Sequence, residues 1–183
     1  MRDFGVVLAA AGAGRRFGAR KQLLELLGKP LVHYSLDAFA AVEDVHAIVL
    51  VMAPADLEAG IELVRRWQDE RRGIGAAAAM EPRSVVVAGG TRRQDSVRNG
   101  LDALPPAVRY VLVHDAARPL IRPEDVRKMI QATREHGAAV IGTPSHDSVK
   151  RVKGARIIAE LPRDEVWTVQ TPQSAEVSVL REA

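Results

Sequence analysis

Three glycines and four basic side chains lie close together near the start of the chain, within residues 12–21. The segment follows an apolar run, Phe4–Ala10, that predicts a buried strand. Glycine lets backbone N–H groups approach an anion closely, and Arg16 and Lys21 supply positive charge. The pattern predicts a phosphate-binding loop in which Arg16 and Lys21 neutralise a triphosphate.

Two familiar phosphate-binding motifs do not fit this loop. The P-loop ends in Gly-Lys-Ser/Thr, whereas Lys21 is followed by Gln22 and has no adjacent glycine. The glycines miss the dinucleotide fingerprint G-x-G-x-x-G by one residue, and no acidic residue closes a second strand at the right distance. A strand that runs into a basic glycine loop is still typical of ligand sites in open α/β sheets. The alternative is a basic surface turn.

A second polar loop follows a predicted strand at residues 84–88. Thr91 and Gln94 have the spacing of a capping box, which predicts that a helix begins there. Gly90, Thr91 and Ser96 would then lie at a helix N-terminus, which suits a base or a phosphate bound by backbone N–H groups. The alternative role for Thr91 is plain capping.

Asp115 follows another predicted buried strand, residues 110–113. A carboxylate near phosphates is a natural ligand of Mg²⁺, which takes one or two carboxylates and shares substrate oxygens. Pairing with Arg118 alone is the alternative. His114 is interpreted as structural, because the other histidines do not cluster with it by spacing. A second phosphorylated substrate could be held by further polar residues, unless the basic ones are merely solvated: Arg118, Ser148, Lys150, Arg163 and Thr171.

The elements that must position these residues alternate between strands and helices. Further strands are predicted at Val45–Met52, 138–142 and 166–169, with helices between them that begin near Pro30, Pro54 and Pro123. This alternation predicts a mainly parallel sheet with helices on both faces, and ligands at the carboxyl edge of its strands. Residues 149–161 read as a β-hairpin around Lys153-Gly154, so residues 145–162 are expected to project as an arm.

Composition narrows the class of protein. The 183 residues suit a single domain spanning 1–183, and 47% hydrophobic residues favour a globular fold. The chain has no cysteine, which excludes disulfides and thiolate metal sites. No apolar run reaches the length of a membrane span and the N-terminus lacks the form of a signal peptide, so a cytoplasmic protein is expected. With a net charge of +3, dispersed arginine pairs and 4% aromatics, small anionic substrates are favoured over nucleic acid.

The ordered motifs resemble those of the 2-C-methyl-D-erythritol 4-phosphate cytidylyltransferase family, enzymes of non-mevalonate isoprenoid biosynthesis. The similarity covers nearly all of the chain, and the string His-Asp-Ala-Ala-Arg-Pro is particularly specific. The residues that carry it are Ala10-Ala-Gly-Ala-Gly-Arg-Arg16, Lys21-Gln22, Gly89-Gly90, Asp95-Ser96-Val97, Val111-Leu-Val-His-Asp-Ala-Ala-Arg-Pro119, Asp147-Ser-Val-Lys150, Trp167 and Thr171-Pro-Gln173.

The resemblance implies a Rossmann-like nucleotidyltransferase fold and a reaction in which CTP and methylerythritol 4-phosphate give the CDP-methylerythritol product and pyrophosphate. It implies that Arg16 and Lys21 stabilise the pentacoordinate α-phosphorus, that Asp115 orients Mg²⁺, and that Arg118 and Thr171 bind the second substrate. The nucleotide would be lined by Ala10, Ala11, Gly12, Gly14, Gly90, Thr91 and Ser96. It also implies a homodimer in which the arm carries Ser148 and Arg163 into the neighbouring subunit's site.

Such a reaction needs no general base, because a substrate phosphate is already a competent nucleophile at neutral pH. Positioning and charge neutralisation can supply most of the reduction in the barrier.

Three departures from the family pattern bear on activity. Ala9 stands where the family often has proline, and Ser148 replaces the commoner threonine but keeps a hydroxyl. The family also continues beyond Thr171-Pro-Gln173 to an Asn-x-Lys motif, so the sequence is expected to be part of a longer or fused polypeptide, or to have impaired activity.

Alternatives to this function are a ribitol 5-phosphate cytidylyltransferase, another sugar-phosphate nucleotidyltransferase, or a CTP-binding module without turnover. The choice between cytosine and uracil also stays open, because backbone groups can read the base.

Overall fold

A computed structural model describes residues 1–12, 23–73 and 81–182. The strands are β1 Phe4–Ala10, β2 Glu25–Leu26, β3 Lys29–Pro30, β4 Val45–Met52, β5 Arg83–Ala88, β6 Tyr110–Asp115, β7 Ala138–Pro144, β8 Val149–Lys153, β9 Arg156–Leu161 and β10 Trp167–Glu176. The helices are α1 Leu31–Ala40, α2 Leu57–Gly73, α3 Arg93–Asp102, α4 Pro123–His136 and α5 Val177–Glu182, and 3₁₀ turns span Pro54–Asp56 and Arg163–Glu165.

Six strands form the central sheet in the order β5-β4-β1-β6-β10-β7. The pairs β5–β4, β4–β1 and β1–β6 are parallel, whereas β10 runs antiparallel to both of its neighbours, β6 and β7. The predicted α/β class with a mainly parallel sheet is therefore confirmed. Because β6 and β7 are both antiparallel to β10, they run in the same direction as each other.

Both faces of the sheet are buried, which explains why its inner strands are apolar almost without interruption. Along β1, Val6 and Leu8 belong to the layer formed with α1, α2 and α4, whereas Val7 belongs to the layer formed with α3 and α5. All three side chains are fully buried. Alternate side chains of the same strand thus anchor helices on opposite sides, as predicted from the sequence.

The predicted hairpin is also confirmed. Strands β8 and β9 pair with each other in a separate two-stranded sheet, and Gly154 adopts a positive φ of 58° in the turn. Most side chains of the hairpin are exposed. Lys150 pairs with Glu160 across it, so this cation is neutralised within the arm rather than in a shared site with Asp115.

Two sequence predictions need correction. The final strand does not end at residue 169 but continues through Pro172 to Glu176. Proline normally interrupts a strand because it cannot donate to the ladder; here the Thr171–Pro172 bond is cis and the register with β7 shifts between Val169 and Gln173. The short hairpin of β2 and β3 was not predicted.

The start of α3 is the second correction. The capping box is made by Asp95 rather than by Thr91 and Gln94, because the Asp95 carboxylate accepts the Arg92 N–H at 3.1 Å. The helix therefore begins at Arg93 with Arg92 as its N-cap, one residue later than the Thr91 spacing suggested.

Candidate functional site

The parallel topology places the predicted functional loops at one edge of the sheet. Strands β1, β5 and β6 all end at this edge, and β7 ends there as well because it runs in the same direction. The antiparallel β10 starts at the same edge, which brings Thr171 beside the end of β6. The sheet thus gathers residues that are far apart in the sequence.

The loop after β5 packs tightly against the end of β1. A Cβ on Gly89 would lie 2.7 Å from both the Cβ of Ala11 and the Oγ of Ser96, which is closer than real Cβ atoms come. A Cβ on Gly90 would collide with Asp95. Both glycines are therefore needed for the close approach of this loop to β1 and to the start of α3.

Ser96 holds that loop from within. It is 4% exposed; its hydroxyl accepts the Gly90 N–H at 3.1 Å and donates to the Arg92 carbonyl at 3.2 Å. Thr91 is exposed, and its hydroxyl donates to the Asp95 carboxylate at 3.2 Å. Hydrogen bonds from the Arg92 side chain lower the pKa of Asp95 to about 2. The loop is thus preorganised; a nucleotide-binding role for Gly90, Thr91 and Ser96 stays a prediction.

Asp115 lies at the end of β6 with a guanidinium on each carboxylate oxygen. Arg93 donates from Nη2 to Oδ1 at 3.0 Å, and Arg118 donates from Nε to Oδ2 at 3.2 Å. Partial burial raises the pKa of Asp115, but the two arginines outweigh that effect and hold it below the ordinary value of 3.8. The carboxylate is therefore charged at neutral pH.

A partly buried chain of hydrogen bonds fixes the residues around Asp115. The Asp115 N–H donates to the Thr171 Oγ1 at 3.3 Å, and Thr171 Oγ1 lies 3.0 Å from Nδ1 of His114. Nε2 of His114 lies 3.0 Å from the Arg118 carbonyl, which can only accept, so Nε2 carries the proton and Nδ1 accepts from Thr171. His114 is 1% exposed, and burial lowers its pKa. The histidine is structural, as predicted, and it positions Thr171.

The structure divides the residues predicted to bind a second substrate into two groups. Arg118 and Thr171 lie beside Asp115, and Arg118 also donates to the side chain of Gln170. Ser148 and Arg163 lie together at the base of the arm, where the guanidinium donates to the hydroxyl at 3.3 Å. Within the described residues, this second pair makes no hydrogen bond or ion pair with the first group.

Arg93 is the functional-site neighbour that sequence reasoning missed. Its side chain joins the loop after β5 to the end of β6, 22 residues away in the sequence. Its position after a strand that ends at the ligand edge could have indicated a role in the site. However, Arg92 and Arg93 are adjacent, and the sequence alone does not show which of them faces Asp115. The idea that Asp115 pairs with Arg118 alone is therefore wrong.

Ala10 is buried at the end of β1, Ala11 is partly buried and Gly12 is exposed, so the strand delivers the chain from the core to the surface at this edge. Gly14, Arg16 and Lys21, which the sequence places in the same loop, lie outside the described residues.

The chemistry of Asp115 fits a magnesium ion. It offers one ionised carboxylate at the ligand edge, with a third of the side chain exposed. Among the described residues, no three His, Cys, Asp or Glu side chains form a group that could hold a metal alone. An ion at Asp115 would draw its other ligands from phosphate oxygens and water, which is how Mg²⁺ usually binds beside nucleotides.

No helix within the described ranges is long and apolar enough to cross a membrane.

Comparison with known proteins identifies relatives along almost the whole chain. The family model described as IspD: 2-C-methyl-D-erythritol 4-phosphate cytidylyltransferase matches residues 4–183. A bifunctional enzyme IspD/IspF of Solidesulfovibrio magneticus is 45% identical over 97% of this chain, which spans 44% of that relative's length. A 2-C-methyl-D-erythritol 4-phosphate cytidylyltransferase of Pelotomaculum thermopropionicum is 41% identical to this chain. The similarity covers 97% of this chain and 71% of that relative's length.

Solved structures agree with the fold. The crystal structure of 4-diphosphocytidyl-2C-methyl-D-erythritol synthase from Anaerococcus prevotii has a TM-score of 0.80 and 26% identity, covering 97% of this chain and 73% of that one. The cytidylyltransferase structure from Thermus thermophilus has a TM-score of 0.68 and 28% identity, with 100% and 74% covered.

Proposed function

The chain belongs to the 2-C-methyl-D-erythritol 4-phosphate cytidylyltransferase family, and from this premise we propose that it transfers the cytidylyl group of CTP to 2-C-methyl-D-erythritol 4-phosphate. A phosphate oxygen of the acceptor attacks the α-phosphorus of CTP. The bond from that phosphorus to the β-phosphate oxygen breaks, and pyrophosphate leaves. The products are 4-diphosphocytidyl-2-C-methyl-D-erythritol and pyrophosphate, and no proton acceptor is required.

The observation that carries this proposal is the cluster of Asp115, Arg93, Arg118 and Thr171 at the carboxyl edge of the sheet. Two guanidiniums and a hydroxyl next to an ionised carboxylate suit a reaction between two phosphorylated molecules. Catalysis of phosphoryl transfer depends mainly on positioning and on neutralising charge. Arg118 and Thr171 would hold the acceptor phosphate, and Arg16 and Lys21 would contact the triphosphate.

The nucleotide would lie over the end of β1 and the loop after β5. The start of α3 supports this place, because the N-terminus of a helix presents backbone N–H groups to a base or a phosphate. Ala10, Ala11, Gly12 and Gly14 would line one side, and Gly90, Thr91 and Ser96 the other.

Asp115 would hold a magnesium ion together with phosphate oxygens. When bound, the ion would neutralise charge on the triphosphate. The ionised state of Asp115 supports this assignment.

A homodimer formed through the arm is also part of the proposal. The arm exposes Val152, Ile157 and Ile158, each more than half accessible, which is an unusual apolar surface for a hairpin in water. A second copy of the chain would cover it and would receive Ser148 and Arg163 beside its own Arg118 and Thr171. A cytoplasmic location stays a prediction.

Pyrophosphate release from CTP and Mg²⁺ tests the reaction, measured with methylerythritol 4-phosphate, with ribitol 5-phosphate and without an acceptor. Release that depends on methylerythritol 4-phosphate supports the proposed activity. Release with ribitol 5-phosphate alone would assign a different acceptor. CTP binding without any release would identify a nucleotide-binding module that lacks turnover.

A further inference from the structure

We propose that Arg93 is a positioning residue that holds the Asp115 carboxylate in the free protein and competes with a divalent cation for it, until a nucleotide phosphate takes up the guanidinium. The inference deepens the proposed function and rests on it.

Each oxygen of Asp115 already accepts a hydrogen bond from a guanidinium. Arg93 occupies Oδ1 at 3.0 Å and Arg118 occupies Oδ2 at 3.2 Å. A cation that binds through either oxygen must displace a guanidinium or share the oxygen with it. The side chain of Arg93 is 56% exposed, so it is free to turn away toward a ligand in the open edge of the site.

Arg93 differs from its neighbour Arg92, although the two are adjacent and chemically identical. Arg92 is bound to Asp95 of its own helix, with Nη2 at 2.8 Å from Oδ1. Arg93 instead crosses to another strand of the sheet. The hydrogen bonds of Ser96 to Gly90 and to the Arg92 carbonyl fix the start of α3, and with it the place from which Arg93 reaches Asp115.

The charges explain how a nucleotide would release the carboxylate. Two guanidiniums around one carboxylate leave one positive charge in excess, and this excess attracts a polyphosphate. A phosphate oxygen that pairs with Arg93 frees Oδ1 for the cation. Binding of the nucleotide and of the metal are thereby coupled, and by linkage each strengthens the other.

The test measures metal binding at Asp115 without nucleotide and without turnover. Mn²⁺ is titrated into the isotope-labelled protein, and paramagnetic broadening of the Asp115 and Ala116 amide signals is followed. In Arg93→Gln, half-broadening is expected at an Mn²⁺ concentration about five-fold lower than in the wild type, as befits a half-exposed ion pair. An unchanged or higher concentration would overturn the proposal. The same spectra show whether the variant is folded.

Matched variants separate the position of Arg93 from its charge. Arg92→Gln removes an equal charge one residue away and is expected to titrate like the wild type. Arg93→Lys keeps the charge but has a single donor group. Its Mn²⁺ concentration at half-broadening should therefore lie between those of the wild type and Arg93→Gln. Equal effects of Arg92→Gln and Arg93→Gln would show that only net charge matters, which contradicts the proposal.

Repeating the titration with CTP distinguishes this inference from the proposed function. One outcome is that CTP tightens Mn²⁺ binding to the wild type, but that Arg93→Gln and the wild type bind Mn²⁺ equally well when CTP is absent. The proposed role of Arg93 would then be wrong, whereas the proposed nucleotide site would be supported. If CTP has no effect on the wild type, the proposed function fails, and the comparison without nucleotide still decides whether Arg93 competes for Asp115.

Discussion

At the scale of single residues, the charge of Asp115 is the property on which the proposed chemistry depends. Asp115→Asn keeps the shape of the side chain but removes the negative charge that would hold the cation. We expect pyrophosphate release to fall about 100-fold or more, in line with losing one fixed electrostatic contact. Steady-state kcat/KM for CTP measures the loss. Asp102→Asn, at the far end of α3 and well exposed, should leave activity unchanged; equal losses in both variants would contradict the assignment.

Thr171 offers a second test, because its hydroxyl forms partly buried hydrogen bonds with two groups at once. Thr171→Val leaves Nδ1 of His114 and the Asp115 N–H without it, whereas Thr171→Ser retains the hydroxyl. The valine variant should lose about 1–3 kcal/mol of unfolding free energy, the cost of unsatisfied buried polar groups. Urea denaturation measures the difference, and equal stabilities of Thr171→Val and Thr171→Ser would show that the hydrogen bonds contribute nothing.

The sequence identified Asp115, Arg118 and Thr171 because each stands in a recognisable motif, and the structure brings these three together. It could not identify Arg93 or the contact of His114 with Thr171. Both depend on contacts between segments 22 to 57 residues apart, and such contacts are set by strand order rather than by local pattern. The sequence likewise could not predict the contact between Ser148 and Arg163, although it identified both residues as candidates.

At the scale of elements, α3 must lie close to the sheet to present its first turn to the ligand edge. Gly100 permits this approach: a Cβ there would lie 2.6 Å from Cγ1 of Val7 and 3.0 Å from Cγ2 of Val51. Gly100→Ala should therefore cost about 1–3 kcal/mol by overpacking, measured by urea denaturation. Gly73→Ala, at the end of α2 with no described atom near its Cβ, is the control and should not destabilise. Equal stabilities would refute the close packing.

The packing of α1 on α2 makes stability depend on pH. His33 is fully buried on α1, and its Nε2 donates to the Leu63 carbonyl of α2 at 2.9 Å. Burial lowers its pKa from 6.5, outweighing that hydrogen bond and the nearby Glu70 and Asp37, which raise it. Below pH 6.5 the unfolded chain therefore binds a proton that the folded protein still rejects. Stability should fall as the pH drops from 6.5 toward the folded pKa.

The slope for one such group is at most about 1.4 kcal/mol per pH unit. His33→Gln keeps a donor for Leu63 but cannot titrate, so its unfolding free energy should change less between pH 7 and pH 5 than that of the wild type. Urea titrations at several pH values measure both profiles. Some dependence should persist in the variant, because burial also lowers the pKa of His114. Parallel profiles would show that His33 does not contribute.

The elements themselves were predicted where one physical signal dominated. Apolar runs predicted β1 and β4 with their observed bounds. The predicted strand 166–169 is shorter than β10, which continues through Pro172 to Glu176 by pairing with β6 and β7. Local pattern therefore gives the parallel body of the sheet but not the antiparallel insertion that brings Thr171 to the site.

At the scale of the whole molecule, the proposed dimer explains why residues of the arm are separated from Asp115 within one chain. If Arg163 acts in the neighbouring subunit's site, the active site is composite, and each site combines Asp115 of one chain with Arg163 of the other. Both residues would then be required for turnover, although neither contacts the other within the described structure of one chain.

Subunit mixing tests this arrangement directly. Asp115→Asn and Arg163→Gln should each be nearly inactive alone. After mixing and subunit exchange, half of the dimers contain one chain of each kind, and one of their two sites has both native residues. Activity should return to roughly a quarter of the wild-type value, as expected for random exchange in a twofold dimer. Mixing Asp115→Asn with Asp115→Glu, in which no site regains the native residue, controls for nonspecific recovery. If the first mixture stays inactive although size-exclusion chromatography shows exchanged dimers, Arg163 does not serve the neighbouring site.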